Sequence, residues 1–380
     1  MKVSEKSLPR GIPLPLVPEG LPKTAVLDEN IRLADFPSTR YQGSKRKMLA
    51  WIWENLREIP FKTALDGFGG TASVSYLLKK MAKRVTYNDK LRFNYLIGRA
   101  LIENSRIKLT MEDVEWLLAE HDDVAYSNFV VDNFKGKYFR DSENQWLDKV
   151  NSNLMQFKML LPGPDQYKVD LAYYALFQAS LMKRPFNLFH RENLSIRTRR
   201  VKRTFGNKKT WETPFDDLFR RFALEANKLV IDNDVSCSAV NYSIFDINPE
   251  EFDLVYLDPP YLRLKGGNET SNYFKCYHFL EGMSNYSSWS DVLNRFQEDG
   301  KSDFGLDDIH LTFERMLERF KGSKIVLSYK KSGAPSIEYI CRLLKKLGKK
   351  VYTRSIHYSY ALNHQNGDAK KNREYLIFGI

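Results

Sequence analysis

Cysteine is scarce in this chain: three among 380 residues, Cys237, Cys276 and Cys341, odd in number and far apart. That excludes a disulfide framework and the close thiol pairs that hold zinc, and it points to a reducing compartment, the cytoplasm. No apolar run approaches the roughly 20 residues that a membrane-spanning helix needs, and residues 1–10 lack the apolar core of a secretory signal. A protein neither embedded in a membrane nor exported is expected. No internal repeat is present. Acid is in short supply, with 47 Asp and Glu against 59 Lys and Arg, a net charge of +12, so the expected partner is a polyanion.

What is present suits a globular protein. Hydrophobic residues make up 43% and charged residues 28%, which excludes collagenous and disordered classes and leaves material for one large or two ordinary domains. The excess charge is concentrated. Residues 183–209 hold ten cations (Lys183, Arg184, Arg191, Arg197, Arg199, Arg200, Lys202, Arg203, Lys208 and Lys209) and one acid, Glu192.

Residues 1–40 contain six prolines and no sustained periodicity, the pattern of an extended arm without chemistry of its own. From 41 to 104 the rhythm is helix and strand: an amphipathic run at 48–56, a strand at 63–66, a glycine-rich turn, a helix through 76–78, a strand at 84–88 and a further helix. This is a βαβ unit. Between 105 and 235 the strands largely vanish, and helical patterns at 111–120, 145–161, 169–182 and 214–230 surround the basic segment. They read as an insertion. From 236 the α/β rhythm resumes, with strands at 237–241, 253–258 and 324–329, helices at 307–320 and 336–347, and two closing β segments, 350–360 and 374–380, expected to pair antiparallel.

The sharpest motif is Asp258-Pro259-Pro260-Tyr261, directly after the apolar strand. Two prolines cannot continue a sheet ladder, and they hold the preceding residue extended. The Asp258 carboxylate and nearby carbonyls are thereby presented as pure acceptors, suited to gripping the two hydrogens of an exocyclic amine, with Tyr261 as a flat face for a base. The second motif runs Asp66-Gly67-Phe68-Gly69-Gly70-Thr71-Ala72, where glycines let the backbone turn and approach a ligand ahead of a helix N-terminus. Asp89, after the next strand, is either an acceptor for ribose hydroxyls or an ordinary helix cap. Turn and acid together favour a nucleoside cofactor.

With Tyr41-Gln42-Gly43-Ser44-Lys45 added, the chain resembles the D12 class of DNA N6-adenine methyltransferases, the group that includes the Dam-type enzymes. Members open with an aromatic-x-Gly-Gly-Lys segment, follow with Phe-x-Gly-x-Gly and an acid, and carry Asp-Pro-Pro-Tyr after a target-recognition insertion. Here Ser44 replaces one glycine. Ala72 replaces another, a change expected to tighten the fit around the cofactor's amino-acid end. The resemblance also takes in residues 273–289 and the closing strand 374–378, and it is weakest over the insertion.

The resemblance implies an α/β fold: a doubly wound Rossmann-like methyltransferase sheet with a terminal antiparallel strand pair and a mainly helical target-recognition insertion. It implies S-adenosyl-L-methionine as cofactor, with Tyr41 and Lys45 near the methionine portion, Asp66, Gly67, Phe68, Gly69 and Gly70 along the pocket, Asp89 at the ribose and Asp258 beside the methyl donor. Asp246 is a candidate for the adenine, or a surface acid. Asp258, Pro259, Pro260 and Tyr261 are the expected catalytic set, holding a flipped adenine for direct transfer to N6 without a metal or a covalent enzyme intermediate.

Cytosine-C5 chemistry needs a nucleophilic cysteine, usually after proline, and no cysteine here follows one. His190-Arg191-Glu192 has a deaminase's His-x-Glu form without the Cys-x-x-Cys partner. Methylation of cytosine N4 or of RNA, or an inactive binding module, are the competing readings. In the basic segment Arg191, Arg197, Arg199, Arg200, Lys202, Arg203, Lys208 and Lys209, with Phe186, Phe189 and Phe205 between them, are the expected contacts to double-stranded DNA. The enzyme is expected to act as a monomer on the nucleoid, with any cognate restriction endonuclease acting separately.

Overall fold

The computed structural model describes residues 32–199, 207–260, 262–263, 272–297, 304, 309–357 and 373–380. Its strands are β1 (Thr63–Asp66), β2 (Arg84–Asn88), β3 (Ser238–Val240), β4 (Leu254–Leu257), β5 (Leu262–Arg263), β6 (Lys324–Lys330), β7 (Gly333–Ala334), β8 (Val351–His357) and β9 (Arg373–Gly379). β5 and β7 form a short antiparallel pair of their own, and the other seven make one sheet in the order β3-β2-β1-β4-β6-β9-β8. β9 runs antiparallel to both its neighbours while the rest are parallel. The expected terminal antiparallel pair is therefore present at the sheet edge.

Side-chain alternation sorts this sheet onto two cores. Ala64, Leu254, Tyr256, Val326, Leu376 and Phe378 face one layer. Leu65, Val255, Leu257, Ile325, Leu327 and Ile377 face the other, beneath the helices Ile309–Arg319 and Ile337–Lys346. β4 is buried at all four positions, as a central parallel strand must be. The helix Ile337–Lys346 starts where the Ser336 hydroxyl accepts from the amide of Tyr339.

The first layer is covered by α1 (Leu49–Leu56), α2 (Ser73–Lys80) and α3 (Arg92–Gly98), the last running on through a wide π-type turn to Glu103. The inserted helices pack here too. Gln166–Lys183 is buried nearly all round and lies between α3 and the amphipathic helix Phe215–Leu229. The insertion thus shares one continuous core with the sheet.

Three short helices, Phe129–Phe134, Leu194–Thr198 and Asn207–Glu212, were not expected from periodicity, since six residues or fewer show too little of a 3.6-residue pattern. Residues 32–40, the end of the proline-rich stretch, lie against the body: Phe36 is buried edge-on to Tyr76, and Ser38 donates to Glu225. No helix among the described residues is long and apolar enough to cross a membrane.

Candidate active site

The strand order reverses between β1 and β4, and open α/β sheets hold ligands outside the carboxyl ends of their strands at such a point. β1 ends on Asp66, β2 is followed by Asp89, and β4 is followed by Asp258. A cavity of about 150 Å³ lies there, lined by all three acids, by Tyr41, Lys45, Gly67, Phe68, Gly69, Gly70 and Pro260, and by residues no motif had marked: Asn88, Tyr242, Ile244, Asn272, Arg295 and Phe304.

Close packing explains the glycines of the turn. A Cβ on Gly69 would drive into the ring of Tyr87, and one on Gly98 would strike the same ring again, so Tyr87 is clamped between two glycines. Its hydroxyl donates to Gly70 O and Asn94 O. The Gly67 amide donates to Tyr256 O at 3.0 Å and the Gly69 amide to Asn88 O at 2.8 Å, tying the turn to β4 and β2. Gly70 has φ +49° and Ala72 φ +59°.

Ala72 therefore keeps the left-handed backbone that a glycine would adopt. Its side chain is buried in the core and does not line the cavity, which corrects the expectation that it tightens the fit around a ligand. Ser44, at the other glycine position, does line the cavity, 3.5 Å from the Thr71 hydroxyl.

Each acid is built in. Asp66 accepts from the Ser75 amide at 3.2 Å and the Ser75 hydroxyl at 2.7 Å, and burial pushes its pKa to about 7, helped by Asp258 and Asp89 and opposed by the Ser75 bonds. Asp89 accepts from the amides of Leu91 at 2.8 Å and Gly70 at 2.9 Å, one on each oxygen. Burial raises it to about 6 against those bonds. It serves as a local cap and still borders the cavity.

Asp258 Oδ2 lies 2.6 Å from the buried Lys45 ammonium, which also lies 3.3 Å from Glu374 on β9. Burial raises Asp258 to about 6, with Lys45 opposing and Glu374 adding to the rise. Tyr41 stacks on Tyr277 with centroids 4.4 Å apart and on Tyr273 at 5.6 Å, holding the opening segment to the helix Tyr273–Ser284.

Two expectations change here. Asp246 is exposed and absent from the cavity lining; Tyr242 and Ile244, just ahead of it, take that place. In the basic segment Arg197 is buried, its side chain 1% exposed, and grips both oxygens of Glu143 at 2.7 and 2.9 Å. Lys183 joins the same carboxylate at 2.9 Å, and Arg184 is buried against the rings of Tyr138 and Phe189. These three cations are part of the core. Burial raises Glu143, but the Arg197 bonds outweigh it and hold the carboxyl below its ordinary value.

Phe189 is likewise buried, stacked on Phe279 at 4.9 Å, whereas Phe186 is 59% exposed at φ +61°. Arg191, Arg199 and Lys209 are exposed. Tyr261, Arg200, Lys202, Arg203, Phe205 and the side chain of Lys208 lie outside the described residues. Among those described, no group of three His, Cys, Asp or Glu is placed to hold a metal.

The model of the D12 class N6 adenine-specific DNA methyltransferases matches residues 41–306. The Type II methyltransferase M2.HphI of Haemophilus parahaemolyticus is 26% identical over 347 residues, which cover 88% of this chain and 95% of that protein. With the family match spanning most of the chain and a seven-stranded, mostly parallel sheet closed by an antiparallel pair, this chain belongs to the D12 class N6 adenine-specific DNA methyltransferases.

Proposed function

We propose that the cavity at the β1–β4 switch point binds S-adenosyl-L-methionine and that Asp258 presents N6 of an extruded adenine to it. What carries this reading is the convergence of the glycine turn, Asp89 and Asp258 on one cavity. Bound there, the cofactor supplies an electrophilic methyl group on a positively charged sulfur. Its chemistry fits the lining: carboxylates attract a cation, and Asp89, which accepts one backbone amide on each oxygen and a further bond from the Asn94 side chain, keeps acceptor capacity for one ribose hydroxyl. Tyr41 and Lys45 sit toward the methionine portion.

The Asp258 carboxylate and the Pro259 carbonyl accept the two N6 hydrogens, which turns the nitrogen lone pair toward the methyl group. Tyr261 stacks on the base. A carboxylate with a pKa of about 6 also takes up the proton that N6 sheds once methylated. Arg191, Arg199 and Lys209, with Arg200, Lys202, Arg203 and Lys208, track phosphates of double-stranded DNA as the enzyme works as a monomer on the nucleoid. A cognate endonuclease acts separately.

Transfer of a labelled methyl group to duplex DNA, followed by nucleoside digestion, tests this. N6-methyladenine is expected, and Asp258→Ala is expected to abolish transfer while leaving DNA binding measurable. Label in cytosine or in RNA but not in adenine, or turnover by Asp258→Ala, would remove the reading.

A further inference from the structure

We propose that Arg295, a residue outside every sequence motif, clamps the carboxylate at the amino-acid end of the cofactor. The inference rests on the cavity reading given above and adds to it the group that meets the ligand's negative charge. Arg295 lies on the helix Trp289–Gln297 and lines the cavity from an exposed position. Its guanidinium stands 4.1 Å from the ring centroid of Phe274, which is buried and lines the same cavity. Among the described residues the guanidinium makes no hydrogen bond or ion pair; the Phe274 ring supports it, and the buried Glu281 acts on it only through its charge. Its N–H donors stay open to a ligand.

The charges of ligand and lining decide which group Arg295 meets. S-adenosyl-L-methionine carries a sulfonium, an α-ammonium and an α-carboxylate. The charged side chains of the lining are three acids, Asp66, Asp89 and Asp258, and three cations, Lys45, Lys90 and Arg295. The acids suit the two positive groups and repel the carboxylate. Lys45 lies 2.6 Å from Asp258 and 3.3 Å from Glu374, and Lys90 adjoins Asp89, the acid read as the ribose acceptor. Arg295 is the third cation, and its planar fork matches a carboxylate through two parallel hydrogen bonds.

Position agrees with charge. Phe274 adjoins Tyr273, which stacks on Tyr41 with centroids 5.6 Å apart and holds its hydroxyl 3.0 Å from where a Cβ on Gly43 would stand. The segment Tyr41–Lys45 is the one read at the methionine portion, so Tyr273, Phe274 and Arg295 border that end of the cavity. The Ser44 and Thr71 hydroxyls on this side are neutral donors open to the same carboxylate, and Arg295 supplies the charge. A DNA phosphate is the competing oxyanion for an exposed arginine. The place of Arg295 and its supporting ring in the lining of the cofactor cavity favours the carboxylate.

The test is calorimetric titration of the whole protein, without DNA, with S-adenosyl-L-methionine and with its decarboxylated form, which keeps both positive groups and lacks the carboxylate. Arg295→Met retains an apolar stem against Phe274 without the charge, and Arg295→Ala removes both. Each should weaken binding of S-adenosyl-L-methionine about 10-fold, the worth of a charge-assisted hydrogen bond. Binding of the decarboxylated ligand should stay within about twofold of wild type. Arg295 is exposed, so both variants should melt close to wild type.

Equal losses for the two ligands would overturn the inference, as would wild-type affinity in Arg295→Met beside a loss in Arg295→Ala, the mark of packing alone. Unchanged cofactor binding with a fall of about 0.9 in the slope of log DNA affinity against log salt would overturn it too, by assigning Arg295 to a phosphate. The wild-type protein separates the two levels. Failure of wild type to bind either ligand would bring down the cavity reading itself, whereas wild-type binding that persists undiminished in both variants would bring down only the role of Arg295.

Discussion

Arg197 separates a cation that folds the protein from cations that face DNA. Its guanidinium makes two hydrogen bonds to Glu143 at 2.7 and 2.9 Å and further ones to Tyr138 O and Trp211 O, with a side chain 1% exposed. Arg197→Ala would leave Glu143 buried with Lys183 and the Arg140 amide beside it. Breaking a buried pair costs about 3–5 kcal/mol, and the remaining Lys183, at 2.9 Å, places the expected loss near the lower end, about 3 kcal/mol. Melting should fall by at least about 4 °C. Arg199 is exposed, so Arg199→Ala should change stability by less than about 0.5 kcal/mol. The DNA readout is the reverse. If Arg199 contacts a phosphate, its loss lowers the slope of log affinity against log salt by about 0.9, whereas Arg197→Ala, measured below its melting temperature, leaves the slope alone. Scanning calorimetry and DNA titrations at three salt concentrations decide between these outcomes. An Arg197→Ala protein that melts like wild type and shows a flattened slope would refute the assignment of this residue to the core.

Two further outcomes follow from the acids and the turn. The pKa values of Asp66, Asp89 and Asp258, raised to about 7, 6 and 6, favour their protonated forms in the folded state, so their contribution to stability is full below pH 4 and is lost as pH rises through 6 to 7. The cofactor-free protein should therefore lose melting temperature between pH 5.5 and 7.5 more steeply than Asp89→Asn does, while cofactor affinity, which needs the Asp89 carboxylate, should weaken up to about tenfold per pH unit below 6; calorimetry at both pH values reads each. At Ala72, relief of left-handed strain worth about 1–2 kcal/mol is offset by lost backbone entropy and a lost buried methyl group, so Ala72→Gly should be within about 0.5 kcal/mol of wild type in denaturant unfolding, and a loss above 2 kcal/mol would show that the strain is absent.

The sheet and the three acids could be read from the sequence because each rests on local chemistry. An apolar run broken by Pro259 and Pro260 can only be a strand end, and three glycines around Phe68 can only be a tight turn. Where the reading failed, the deciding fact was a distant partner. Nothing near Arg197 or Lys183 signals that Glu143 lies between them, so in the sequence the run of cations reads as one DNA-facing segment. Phe189 looks like Phe186 in the sequence, yet it is buried against Phe279 while Phe186 is exposed. Glu374 passed unnoticed because its link to Lys45 is made by strand order, not by spacing. Asp246 attracted attention as an acid at a segment end, but the backbone turns so that Tyr242 and Ile244 reach the cavity first.

The charge of the molecule is sorted by this architecture, and the sorting bears on turnover. Parallel strands bring their carboxyl ends to one edge, so the acids at the ends of β1, β2 and β4 gather around one cavity, while the exposed cations Arg191, Arg199 and Lys209 belong to the insertion. Burial raises the pKa of all three carboxylates, and Asp258 and Asp89 add to the rise at Asp66, which is a cost to the folded protein and an attraction for any cation that enters. On the proposed reading the entering ligand carries a sulfonium charge, and methyl transfer removes it. The thioether left behind is neutral at sulfur, so the same acids hold the spent cofactor less strongly than the loaded one. The arrangement that costs stability at neutral pH thereby favours exchange of product for fresh cofactor. An enzyme lacking Asp66 or Asp89 as a charge would lose part of that difference.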